Sequence, residues 1–283
     1  MNDNLKHEFN YVDADFARVK AIIYRAAGIH LGESKKQLVY SRLARRLRTL
    51  KLQSFDEYLA YLDQHEHELQ EFINALTTNL TAFFREPYHF SILSDFVRTR
   101  NTATKTLRVW CAASSTGEEP YSIAMTLVEA YGTYTPPVQI IASDIDSSVL
   151  HYAAQGIYTL ERLDALSLAQ KKKFFLRGKG TNHGKARVID KLRQLIEFRQ
   201  VNLLDLDWRI EAGIDVIFCR NVMIYFDKPT QLKLLQRMVR LLQPDGLYIA
   251  GHSESFSHAS HLVKLVGKTT YRLANNNNAG EPQ

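Results

Sequence analysis

Along the first 80 positions apolar residues recur at helical spacing, with almost none of the alternation that marks a half-buried strand. Phe16, Val19, Ile22 and Ile23 outline a first helix, which Asp13 or Asp15 is placed to cap and Gly28 and Gly32 to end. Leu43, Leu47 and Leu50 outline a second, with Ser34 as its candidate cap. Ser54 followed by Glu57 has the spacing of a capping box ahead of Tyr58, Leu59 and Leu62. A fourth helix spans roughly 66–77, and a fifth, 90–100, leads into a polar stretch.

Beyond that stretch the pattern changes. LRVWCAA (107–113), VQIIASD (138–144), LIEFRQVNL (195–203), IDVIFCRNV (214–222) and GLYIAGH (246–252) are five short apolar runs. Helical segments lie between them, including 121–131, 147–156 and 229–242, the last closed by Pro244, Asp245 and Gly246. Alternating strands and helices predict an α/β domain with a parallel sheet covered on both faces. Residues 157–194 break the alternation and read as an insertion with a hairpin loop around Gly178–Gly184. The division expected is a helical domain over 1–80, a connector over 81–106, an α/β domain over 107–273, and a low-complexity disordered tail over 274–283.

With 283 residues, 45% hydrophobic and 23% charged, the composition is that of a globular chain. No apolar run approaches the ~20 residues that cross a bilayer. The opening MNDNLKHEFN lacks an apolar core, so a secretory signal is not expected. Two cysteines, Cys111 and Cys219, are too few for a disulfide framework or a four-ligand zinc site, and no histidine spacing predicts a metal. A cytoplasmic protein is expected.

The formal charge of +6 matters less than its distribution. Lys35, Lys36, Arg42, Arg45, Arg46, Arg48 and Lys51 follow one another without an intervening acid. Lys35, Arg42, Arg45 and Arg46 fall away from the leucine seam, either as a solvated face or as a docking face for an acidic partner. Seven cations without one acid favour docking.

In an open α/β sheet, ligands bind at the carboxyl ends of the strands. After the first strand come small residues with a single glycine, Gly117, so the G-x-G-x-x-G phosphate fingerprint fails. The second strand ends at Asp144 and Asp146. Either is placed to accept hydrogen bonds from ribose hydroxyls, and either would equally serve as a helix cap. Small residues, a terminal acid and no pyrophosphate grip suit a nucleoside without phosphates, a description that S-adenosylmethionine meets. Gly251-His-Ser-Glu-Ser nearly matches a hydrolase nucleophile elbow, but Ser255 stands where the motif needs glycine. Cys219 reads as a buried small hydrophobe rather than a nucleophile.

TTNLTAFFRE (77–86), STGEEPYS (115–122), ASDID (142–146) and FCRNVMIYF (218–226) occur in that order. Together they closely resemble the chemotaxis receptor glutamate methyltransferases, the CheR family, from about residue 12 to 273. The resemblance implies a small all-α domain joined to a Rossmann-like S-adenosylmethionine methyltransferase sheet with an inserted small β-subdomain. It further implies that Asn79, Thr81 and Arg85 meet the cofactor from the connector, and that Ala113 approaches it through its backbone with Glu119 nearby. By the same resemblance Asp144 holds the ribose and Asn202 and Leu203 flank adenine. Arg220 and Asn221 line the amino-acid end, and Tyr225 lies close to the transferred methyl; Tyr225 and Arg85 are thus the expected catalytic pair. The implied acceptors are glutamates of chemoreceptors, docked on the basic helix and on the β-subdomain through a receptor C-terminal peptide, with S-adenosylhomocysteine as product. A monomer is expected, without nucleic acid or membrane insertion. Two other classes fit the fold: a nucleic-acid methyltransferase, disfavoured because the cations lack interleaved aromatics, and a cofactor-binding regulator that has lost catalysis.

Overall fold

A computed structural model of the chain describes residues 8–100 and 105–274. Most of the predicted tail and part of the connector therefore lie outside the described residues. The helical domain comprises α1 (Asp13–Ala27), α2 (Lys36–Leu50), α3 (Phe55–Gln64) and α4 (Glu66–Leu76). Phe16, Val19, Ile23, Leu43, Leu47, Tyr58 and Phe72 form its core, which is the stripe that helical spacing put on one face. Ser54 caps α3 by accepting from the Glu57 amide, and Asp15 accepts from Val12 N at the start of α1. Ser34 does not cap α2. A short 3-10 turn over Glu33–Lys35 precedes that helix, so its first amides are entered from a helical turn instead of a side-chain cap. At the end of α1, Gly28 sits at φ +69, where a Cβ would stand 2.9 Å from the Phe226 ring of the other domain.

Helix α5 (Tyr88–Thr99) leads into the sheet domain. Its elements are β1 (Leu107–Cys111), α6 (Glu118–Tyr131), β2 (Val138–Asp144), α7 (Ser147–Gln155), β3 (Ile157–Thr159), α8 (Leu168–Phe174), β4 (Phe175–Arg177), β5 (Lys185–Val188), α9 (Asp190–Arg193), β6 (Ile196–Gln200), β7 (Ile214–Cys219), α10 (Lys228–Val239), β8 (Leu242–Ala250), β9 (Val263–Gly267) and β10 (Thr270–Leu273). The seven-stranded sheet runs β6-β2-β1-β7-β8-β10-β9. Its first five strands pair in parallel, while β10 is antiparallel to both neighbours. Val109 and Cys111 point into one core with α5 and α6, and Trp110 between them points into the other with α10. This is the pleat of a strand buried on both faces. β1 and β7 are neighbours although the chain passes through β2 and β6 between them, so their carboxyl ends flank a topological switch point.

Two features depart from the sequence reading. Pro244, Asp245 and Gly246 do not close a helix. They lie within β8, where the pairing to β7 passes from Ile214↔Leu242 to Val216↔Leu247, a bulge that leaves the proline out of the ladder. The hairpin β9–β10 has no counterpart in the pattern of apolar positions. β9 is mostly exposed and carries no alternation, so only its pairing to β10, and of β10 to β8, defines it. The insertion folds as a three-stranded antiparallel sheet, β3-β5-β4, whose β4–β5 loop spans 178–184.

Candidate active site

The loop after β1 turns sharply, with Ser115 at φ +47 and Gly117 at φ +97. A Cβ at Gly117 would fall 2.7 Å from the Tyr158 hydroxyl and 2.8 Å from Ala153, so only glycine fits. The turn aims the Ser115 amide at Asp144 Oδ2 (2.8 Å), and Asp146 N donates to Oδ1 (3.0 Å). Burial pushes the Asp144 carboxyl up to about 6, against the opposing pull of these amides. Asp146 is the helix cap: Oδ1 accepts from the amides of Ser148 and Val149, and Oδ2 from Thr77 Oγ1 and Asn79 Nδ2 at 2.8 Å each. Of the two acids, Asp146 is the one that caps the helix.

At the other end of the switch point, Arg220 follows β7 with its side chain wholly buried. Its guanidinium contacts Glu119, Glu86 (3.2 Å) and the carbonyl of Arg85 (2.6 Å), while its Nε has no partner. Burial opposes the charge, but the flanking glutamates outweigh it and hold the guanidinium above its ordinary value. Arg85 is half-buried and donates to the Leu80 carbonyl (2.8 Å).

One cavity of about 1,290 Å³, open mouth included, gathers these groups. Asn79, Thr81, Arg85, Ala113, Glu119, Asp144, Asn202, Leu203, Arg220, Asn221 and Tyr225 all line it. Its far wall is supplied by the helical domain, through Ile29, His30, Leu31 and Leu38, which sequence reasoning did not single out because no motif marks them. The two domains are tied around it. His30 N donates to the Tyr225 carbonyl (2.9 Å), Asn202 Nδ2 to the Ala26 carbonyl (2.8 Å) and Tyr24 Oη to Asp227 (2.6 Å). Glu86, on Arg220, was also missed, although it directly follows Arg85 in the chain.

Of the four basic docking candidates, Lys35 is exposed at the cavity mouth and Arg45 is exposed on α2. Arg46 instead forks onto Glu68 (2.6 Å), which is 1% exposed, and reaches Glu71 (3.2 Å). Arg42 holds the carbonyls of Leu76 (2.9 Å) and Thr77 (2.6 Å) at the end of α4. Cys219 is buried, and burial raises its thiol far above the ordinary range.

Residues 79–272 match the CheR methyltransferase SAM binding domain, and residues 14–77 the CheR methyltransferase all-alpha domain. The chain belongs to the CheR methyltransferase family. It is 62% identical to chemotaxis protein methyltransferase 2 of Pseudomonas aeruginosa, covering 94% of this chain and 95% of that one. To the chemotaxis protein methyltransferases of Escherichia coli and Salmonella typhimurium it is 50% and 51% identical, over 93% of this chain and 91% of each. It is therefore an S-adenosylmethionine-dependent chemotaxis protein methyltransferase. The donor set suits that cofactor: Asp144 is a buried carboxylate on the cavity wall with acceptor capacity beyond its amide contacts, Val201 and Leu203 form an apolar wall, and the orphaned Arg220 Nε is a buried donor. Among the described residues no helix is long and apolar enough to cross a membrane.

Proposed function

We propose that this methyltransferase esterifies specific glutamate side chains on the cytoplasmic domains of chemoreceptors, leaving S-adenosylhomocysteine. The observation that carries the reading is one cavity lined both by a ribose-competent carboxylate, Asp144, and by Arg85, Arg220 and Tyr225. In this reading Asp144 accepts from the ribose hydroxyls, and Asn202 and Leu203 flank the adenine. Ala113 offers its backbone beside Glu119. Arg85, Asn79, Thr81, Arg220 and Asn221 hold the amino-acid end, where a guanidinium suits a carboxylate. The bound cofactor supplies an electrophilic methyl group on a sulfonium. A glutamate of pKa about 4.3 is already ionised at neutral pH, so the chain needs no general base. Tyr225 and Arg85 then act by orienting the reactants, a contribution that reaches several kcal/mol when reacting atoms are held near attack geometry.

The acceptor helix, rich in glutamate, docks on the basic face through the exposed Lys35 and Arg45, whereas Arg42 and Arg46 are taken up by contacts inside the helical domain. β3 and β4 are the edges of the small sheet, which suits strand addition by a receptor C-terminal peptide as a second contact. The test is incubation with receptor-containing membranes and methyl-labelled S-adenosylmethionine. Label in the receptor, released as methanol by mild alkali, is the expected result. Label that survives alkali, as on a nucleic-acid base, or no transfer at all would overturn the assignment. Tyr225→Phe should slow turnover at subsaturating substrate, and wild-type turnover there would remove Tyr225 from the site.

A further inference from the structure

The turn Gly251-His252-Ser253-Glu254, whose letters nearly spell a hydrolase elbow, does other work. Among the described residues no hydrogen bond joins Ser253 to a histidine. Glu254, 5% exposed, points back across the sheet end and accepts four backbone N–H groups in one carboxylate. Oε1 takes the amides of Val222 (3.0 Å) and Met223 (2.8 Å). Oε2 takes those of Asn221 (3.0 Å) and Gly251 (2.6 Å). The segment so held carries Arg220, Asn221 and Tyr225, and Asn221 sits in the left-handed region at φ +58, a conformation that needs outside support. Gly251 permits the approach, since a Cβ there would meet Asn221 Nδ2 at 2.5 Å and its amide at 2.8 Å. The same turn reaches Arg220 from the opposite side: His252 N donates to Glu86 (3.1 Å), and Glu86 pairs with Arg220.

We propose that Glu254 is a positioning residue for methyl transfer, its carboxylate fixing the 220–225 segment whose side chains line the cofactor cavity. It touches neither substrate nor cofactor and acts through Asn221 and Tyr225. The strands themselves do not depend on it, because the β7–β8 ladder continues to Cys219↔Ala250, one residue before the turn. A buried carboxylate satisfied by four amides is instead a fixed anchor for a loop that the ladder cannot reach.

The inference rests on the cofactor seating proposed above, and binding of S-adenosylhomocysteine to the wild-type enzyme tests that seating separately. Glu254→Gln keeps the shape but turns an NH₂ group toward two amides that need an acceptor. Its kcat for receptor methylation should fall at least tenfold at a temperature where circular dichroism shows the fold intact. KM for receptor should stay within threefold, because neither proposed docking surface, the basic face of the helical domain or the edge of the small sheet, includes the 220–225 segment. Gly251→Ala, which keeps the Glu254 side chain but crowds Asn221 and bears on one of the carboxylate's four amide donors, should give the same split and decides the matter where Glu254→Gln does not fold. A kcat within threefold of wild type in a folded variant, or a loss that merely follows the unfolded fraction, would overturn the proposal.

Discussion

Asp144 and Asp146 carry the same side chain two residues apart, and the backbone around them gives each a different task. Asp146 lies where a helix begins, so its oxygens are consumed by the amides of α7 and by Thr77 and Asn79. Asp144 ends a central strand and lines the cavity, its carboxylate held by the amides of Ser115, Asp146 and Ile145 and, among the described residues, by no cation. Without ligand, burial disfavours its ionised form. Its contribution to stability is then fully present below the unfolded value near 3.8 and is lost as pH rises through about 6. Ribose hydroxyls reverse the preference, because they donate to the ionised form. On the proposed seating, S-adenosylhomocysteine binding should therefore weaken as pH falls from 8 to 5, with the change centred near 6. Asp144→Asn should bind about 10- to 100-fold more weakly and lose most of that pH dependence. Calorimetric titration across this range checks both, and a flat wild-type profile would deny Asp144 the ribose.

Helix α2 shows how cations that look alike in sequence can have different tertiary settings. The stretch has no acid of its own, but α4 brings Glu68 and Glu71 against Arg46, and Tyr58 also donates to Glu68 (3.0 Å). Breaking such a pair leaves a buried carboxylate without its cation, so Arg46→Glu should cost about 3–5 kcal/mol in urea unfolding. Arg45→Glu, at an exposed position without a described ion-pair partner, should stay within about 0.5 kcal/mol. Only the second variant, with Lys35→Glu, therefore reports on receptor docking without a stability artefact. Its binding should weaken steeply with salt and with charge reversal, and a salt-insensitive complex would refute electrostatic docking.

Across the whole molecule, the cavity is shared: the strand ends supply its polar floor and the helical domain its opposite wall. A ligand lodged there stabilises both domains together. At about 100 times its Kd, S-adenosylhomocysteine should add about 2.7 kcal/mol and shift one cooperative unfolding transition upward. Two transitions in calorimetry, with only the later one moving, would show that the helical domain is not coupled to the site. Gly28→Ala drives a Cβ into Phe226 at a left-handed position and should reduce this coupling as well as stability.

The helical stripes, the alternation of strands with helices and the insertion are legible in the chain because periodicity is a local property, and the motif-borne part of the cavity lining is legible through the family resemblance, whereas Ile29, His30, Leu31 and Leu38 carry no motif and are not. The β9–β10 hairpin and the bulge at Pro244 are not, since both exist only through pairing with a distant strand. Nor does the chain reveal which of Asp144 and Asp146 caps a helix, which of the α2 cations has a buried partner, or that Glu254 gathers amides from a loop more than 25 positions earlier. Those outcomes depend on which groups burial brings within 3 Å of one another, and residues far apart in sequence leave no periodic trace of meeting.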